Sequence, residues 1–155
     1  MLNKIDYVLS KILEVIMTVS LFLTVLITFI QVIFRYIFNM SSPWTQDVLM
    51  ICFIYSIFFG AAILVYKKEH LVVDLFDNLS AMKEKLLKTL EFIVAVFFLS
   101  ILIYFGIDLV EKNLISGQTL GVLPFKQAYL YLAIPSSSVF MIYFYIRRLF
   151  KIWFG

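Results

Sequence analysis

The sequence predicts an all-α integral membrane protein: four transmembrane helices, with an amphipathic interfacial helix between spans two and three. Three observations carry that expectation. Apolar residues make up 63% of the 155-residue chain and charged residues only 15%, against roughly 45–50% and 25% in soluble domains. Mean hydropathy is +1.01. The 13 basic and 10 acidic side chains are also bunched, leaving four long stretches with none. Too few charges remain to cover a soluble surface, so the expected solvent is lipid.

The spans follow in order from those stretches. Val15 to Phe34 holds 20 uncharged residues, Val48 to Tyr66 holds 19, Phe92 to Ile107 holds 16, and Gln127 to Ile146 holds 20. A helix rises 1.5 Å per residue, so about 20 residues cross a ~30 Å hydrocarbon core. The third run reaches that length when extended to Val110, which places Asp108 at an interface. One membrane domain over 1–155 is expected, with spans near 15–34, 48–66, 92–110 and 127–146. The first is no signal peptide: it exceeds a ~7–15-residue apolar region and ends in Phe34-Arg35-Tyr36 without a small-residue cleavage site.

Four spans put both termini on one side. That side would carry Lys4, Lys11, Lys67, Lys68, Lys83, Lys85, Lys88, Arg147, Arg148 and Lys151, ten basic residues, against Arg35, Lys112 and Lys126 on the other. Short loops with excess Lys and Arg stay inside, so cytoplasmic termini are expected.

The inner segment, about 67–91, is patterned. Leu71, Leu75, Leu79, Met82, Leu86 and Leu90 share one helical face, with Asp74, Asp77, Lys85 and Lys88 mostly elsewhere. An amphipathic helix in the headgroup region is expected, starting near His70 and running into the third span, with membrane lipids as its partners. A third helix that simply protrudes is the alternative. Outside, Ser42-Pro43-Trp44 reads as a helix start, with Gln46 and Asp47 in the first turn where a carboxylate favours the dipole. The second outer loop, from Gly117 and Gln118 to Pro124, is apolar enough to need packing on protein.

Composition excludes several classes of chemistry. Cys52 and His70 are single, which rules out a disulfide framework, a cysteine-built zinc site and paired haem ligands. The net charge of +3 is placed by topology, and no nucleic-acid partner is indicated. No Asp, Glu, Lys, Arg or His lies in the four cores, where proton relays and coupling-ion sites would need them. No nucleophile–base pair and no metal-ligand cluster stands out. The chain reads as neither an enzyme nor a self-sufficient pump, with no cofactor.

Small and polar residues instead form stripes. Ser20, Thr24 and Thr28 are spaced by four, and Gln31 and Arg35 continue that face. Cys52, Ser56 and Gly60 repeat the interval, followed by Ala61, and the fourth span has Ala133 and Ser137. Such spacing lets helix backbones approach and hydroxyls bond across the contact. Packing within the four-helix unit and packing against another chain are both open. Arg35 is either an arginine snorkelling to headgroups or part of a fixed ion pair or hydrogen bond orienting the outer surface, where Trp44 joins an aromatic belt.

In order and spacing, Gln31-Val32-x-x-Arg35-Tyr36, Pro43-Trp44-Thr45-Gln46-Asp47, Phe59-Gly60-Ala61-Ala62, His70-Leu71-Val72-Val73-Asp74-Leu75, Gly117-Gln118-Thr119, Leu123-Pro124 and Tyr131-Leu132-Ala133-Ile134-Pro135 form a set. This set resembles the small membrane (Q) subunit of the tripartite ATP-independent periplasmic, or TRAP, transporters, over essentially the whole chain. Gln46 stands where Glu is common in that family, and Phe125 where Trp is common. The resemblance implies a bacterial inner-membrane scaffold or stator beside a large multi-span (M-type) permease subunit. That subunit would carry the substrate and sodium sites, and a periplasmic (P-type) binding protein would deliver an organic acid such as sialic acid or a C4-dicarboxylate. An autonomous four-span exporter is the rival, but exporters of that kind depend on a Glu inside the first span. A structural or assembly subunit of another membrane complex is the other alternative.

Overall fold

The computed structural model of the chain describes residues 2–40, 42–67 and 81–154. Helix α1 runs Leu2–Tyr36, α2 Pro43–Lys67, α3 Ala81–Ser116, α4 Ala128–Tyr131 and α5 Ala133–Phe154. Among the described residues, four helical stretches are long and apolar enough to cross a membrane. The 35 residues of α1 and 36 of α3 extend about 52 and 54 Å, well beyond a ~30 Å core. Hydropathy marks where the chain crosses hydrocarbon, and the helices continue past it through charged turns such as Lys4 to Glu14.

Most of the expected interfacial segment, including His70, Leu71, Leu75 and Leu79, lies outside the described residues. Its last part, 81–91, is continuous with α3. There Leu86 and Leu90 are 63% and 58% exposed, so this chain does not cover them.

Local chemistry explains the ends. After α1 the chain turns at Asn39 with φ 51°, a left-handed conformation that asparagine tolerates. The Met40 N–H then reaches back to the Phe34 carbonyl at 3.0 Å. Gly117, φ 67°, plays the same role after α3. The fourth span is not the single run expected from its sequence but two helices broken at Leu132. Pro135 is the reason. It has no N–H for the Tyr131 carbonyl four residues earlier, and its ring crowds that turn.

The helices form an open row. Backbones approach closely between α1 and α2, α2 and α5, and α5 and α3, with α4 against α3; among the described residues α1 has no close backbone neighbour but α2. Phe59, Ala62, Ile63 and Val65 of α2 and Met141 and Phe144 of α5 form most of the core, with Leu13 and Leu99 contributed from the flanking helices. None of the most apolar stretch of α1 is buried, against 33% of that of the fourth span. Phe22, Phe29, Phe97 and Tyr104 accordingly lie exposed on the flanking helices. Faces of that kind need lipid or another protein.

Candidate functional site

The end of the row away from the chain termini is capped by a short hairpin. Thr119 and Lys126 form an antiparallel bridge, the Leu120 N–H donates to the Phe125 carbonyl at 2.8 Å, and the Gln127 N–H to that of Gln118 at 2.9 Å. Leu120 plugs into the protein at 2% exposure. What fixes the hairpin to α2 is Asp47, 7% exposed. Its Oδ2 accepts the Val122 N–H at 2.9 Å and the Leu123 N–H at 3.1 Å. The carboxylate approaches so closely that a Cβ on Gly121 would stand 2.7 Å from Oδ1. Tyr55 adds a second tie, donating its hydroxyl to the Tyr129 carbonyl at 2.8 Å.

This differs from the dipole role expected of Asp47. It is the fifth residue of α2, beyond the first turn, and it serves amides of a distant loop. Ser42 contributes through its carbonyl, which accepts the N–H and the hydroxyl of Thr45. Arg35 is exposed and among the described residues forms no ion pair with Asp47. Trp44, Gly117, Gln118 and Pro124 are exposed around the hairpin, as are Val122 and Phe125 at 62% and 54%. The result is a hairpin tied to α2 by Asp47, with Val122 and Phe125 exposed on its outer surface.

The stripes fall in different places. Gly60 faces α1, where a Cβ would meet Met17 Sδ at 3.2 Å. Ala133 and Ser137 are fully buried, while Cys52, Ala61, Ser20, Thr24 and Gln31 are half-buried and Thr28 is exposed. The hydroxyls do not bond across helices as expected. Thr24 donates to the Ser20 carbonyl at 2.9 Å, Thr28 to Thr24 at 2.7 Å, Ser56 to Phe53 at 2.7 Å and Ser137 to Ile134 at 3.1 Å. A helical Ser or Thr reaches the carbonyl three or four residues back more easily than another helix. Among the described residues no three His, Cys, Asp or Glu side chains gather as metal ligands.

The termini end is tied by ion pairs that sequence pattern did not single out. Arg147 Nη2 donates to Asp6 Oδ2 at 2.6 Å and Nε at 3.1 Å, while the Tyr143 hydroxyl donates to Asp6 Oδ1 at 2.7 Å. Arg148 meets Glu91 at 3.2 Å, and Lys67 meets Glu14 at 3.6 Å. These pairs join α1 to α5, α3 to α5 and α1 to α2. Lys85 lies over the Trp153 ring at 5.9 Å, and Lys88 lies on the next turn of α3. The Tyr143 and Arg147 spacing of four was the available signal, but the partner, Asp6, lies 141 residues from Arg147. Arg147→Glu is expected to lower the thermal unfolding midpoint in detergent, and the swap Asp6→Arg with Arg147→Glu to recover part of the loss. A swap no more stable than the single variant would assign the loss to packing.

The model of the DctQ component of tripartite ATP-independent periplasmic transporters matches residues 24–155. The chain belongs to that family. A protein of Haemophilus influenzae named as a TRAP transporter small permease is 27% identical over 144 residues, 92% of this chain and 85% of the relative. The sialic acid TRAP transporter permease protein SiaT, also from H. influenzae, is 27% identical over 120 residues. That match takes in 76% of this chain but only 19% of SiaT. The DctQ family match and the four apolar helices make the chain a multi-pass membrane protein and a component of a TRAP transporter.

Proposed function

We propose that this DctQ-family chain is the immobile scaffold subunit of a sodium-coupled TRAP transporter in the inner membrane. It stands beside a large permease subunit that imports an organic acid, sialic acid or a C4-dicarboxylate among the candidates, delivered by a periplasmic binding protein. The observation that carries the reading is the open row: α1 flanks it with an apolar stretch in which no residue is fully buried. A self-contained transporter would enclose a path between its helices, whereas a scaffold presents a face to something larger. The apolar cores hold no ionisable residue that would couple an ion gradient, which also supports a role without catalysis. The match to a fifth of SiaT's length fits a chain that works as part of a larger permease. With ten basic residues on the termini side against three, the termini face the cytoplasm and the hairpin faces the periplasm, where a binding protein arrives.

Reconstitution tests this. Under a sodium gradient, with binding protein and candidate acids present, liposomes holding this chain alone are expected to take up no more than empty ones. Liposomes with both membrane subunits should accumulate substrate, and those with the large subunit alone should not. Uptake by this chain alone would overturn the scaffold role.

A further inference from the structure

A cavity of about 170 Å³ lies between α1 and α2 at the termini end, lined by Tyr7, Ser10, Lys11, Glu14, Tyr66 and Lys67 over a floor of Ile63. That volume is about six waters' share of liquid, enough for a small polar group. Its walls carry both signs of charge. Glu14 sits between two ammonium groups, Lys11 at 3.0 Å and Lys67 at 3.6 Å. All three side chains are 36% or more exposed, so each keeps capacity for another partner: the lysines have donors to spare and the carboxylate has free lone pairs.

Depth narrows the occupant. The uncharged run of α1 begins at Val15, next to Glu14, and that of α2 ends at Tyr66, next to Lys67. The cavity therefore lies at the edge of the hydrocarbon, at headgroup level. On α1 the face Tyr7, Lys11, Glu14 continues by steps of three and four as Thr18, Leu21 and Val25, and Leu21 and Val25 are exposed apolar residues. One helix face thus passes from a charged cavity to an open apolar track, which is the profile of a phospholipid.

We infer that this cavity binds the headgroup of a zwitterionic phospholipid with a primary ammonium, a phosphoethanolamine lipid, its acyl chain lying along α1. The phosphate meets Lys11 and Lys67, and the ammonium meets Glu14. A phosphate without a cation, as in a phosphoglycerol lipid or a free anion, would pair with the lysines but offer the remaining lone pairs of Glu14 no donor. A choline headgroup has no N–H to donate to it. The inference needs only that the chain is embedded in a membrane, so it stands or falls separately from the transporter role.

Native mass spectrometry of the full-length protein tests it, with phosphoethanolamine, phosphocholine and phosphoglycerol lipids of identical acyl chains added in equal amounts. Retention of the phosphoethanolamine lipid is expected to exceed that of the phosphoglycerol lipid by about tenfold, the worth of one charge-assisted hydrogen bond. Glu14→Gln should remove that preference, and Lys11→Ala should weaken retention of all three. Equal retention in the wild type, or a preference that survives Glu14→Gln, would overturn the proposal. So would displacement of the lipid by inorganic phosphate or soluble phosphoethanolamine, which would mark a free-anion site. Thermal unfolding of each variant distinguishes lost binding from lost fold, and Lys11→Ala carries the test if Glu14→Gln unfolds.

Discussion

Asp47→Ala is expected to destabilise the protein by about 2–4 kcal/mol, because two backbone N–H groups lose one buried carboxylate. The loss should show in denaturant or thermal unfolding in detergent and as new proteolytic sensitivity in 118–127. Asp47→Asn keeps an acceptor without the charge and should cost roughly half as much. Gly121→Ala adds an independent test. The new Cβ would meet Asp47 Oδ1 at 2.7 Å, so either the carboxylate or the hairpin must move, at about 1–3 kcal/mol. In an Asp47→Ala background that obstacle is gone, and Gly121→Ala should cost little. The two substitutions are therefore expected to be strongly non-additive. Additive costs would mean that Asp47 does not set the hairpin's position.

How far the sequence disclosed this arrangement depends on the range of each interaction. Four apolar helices are legible because charge-free runs report directly on contact with lipid, and the described residues form four. Helix ends are legible where a local residue makes them, as at Pro43 and Gly117. The break at Leu132 was visible as Pro135, yet a proline eight residues beyond Gln127 in an apolar run does not say whether the helix bends or splits. The hairpin clamp was out of reach. Asp47 and Val122 are 75 residues apart, and an aspartate after a proline and a tryptophan looks like a helix-start residue. The hydroxyl stripes misled for the opposite reason: regular spacing suggested partners on other helices, while each hydroxyl had a carbonyl of its own helix within reach. The order of the helices in the row was likewise invisible, since periodicity gives a helix's apolar face and not the neighbour it meets.

Gly106→Leu is expected to be the costlier of the two glycine substitutions within the spans, at about 2–3 kcal/mol. Gly106 is buried where α3 crosses α5. A Cβ there would stand 3.1 Å from Pro135 Cδ, 3.4 Å from Ile134 Cγ2 and 3.5 Å from the Pro135 nitrogen. A pyrrolidine ring and a backbone atom cannot swing aside, so leucine must push the helices apart at the point where the fourth span is already broken. Gly60→Leu meets only Met17, with Sδ at 3.2 Å and Cγ at 3.6 Å. An unbranched thioether has rotamers to spare, and about 1 kcal/mol is expected. The contrast separates two kinds of close approach that look identical in sequence, a glycine against a rigid neighbour and a glycine against a yielding one. Thermal unfolding of both variants beside wild type decides it. Equal losses would mean that Met17 is as unyielding a neighbour as Pro135, and that the difference in side chain does not set the cost.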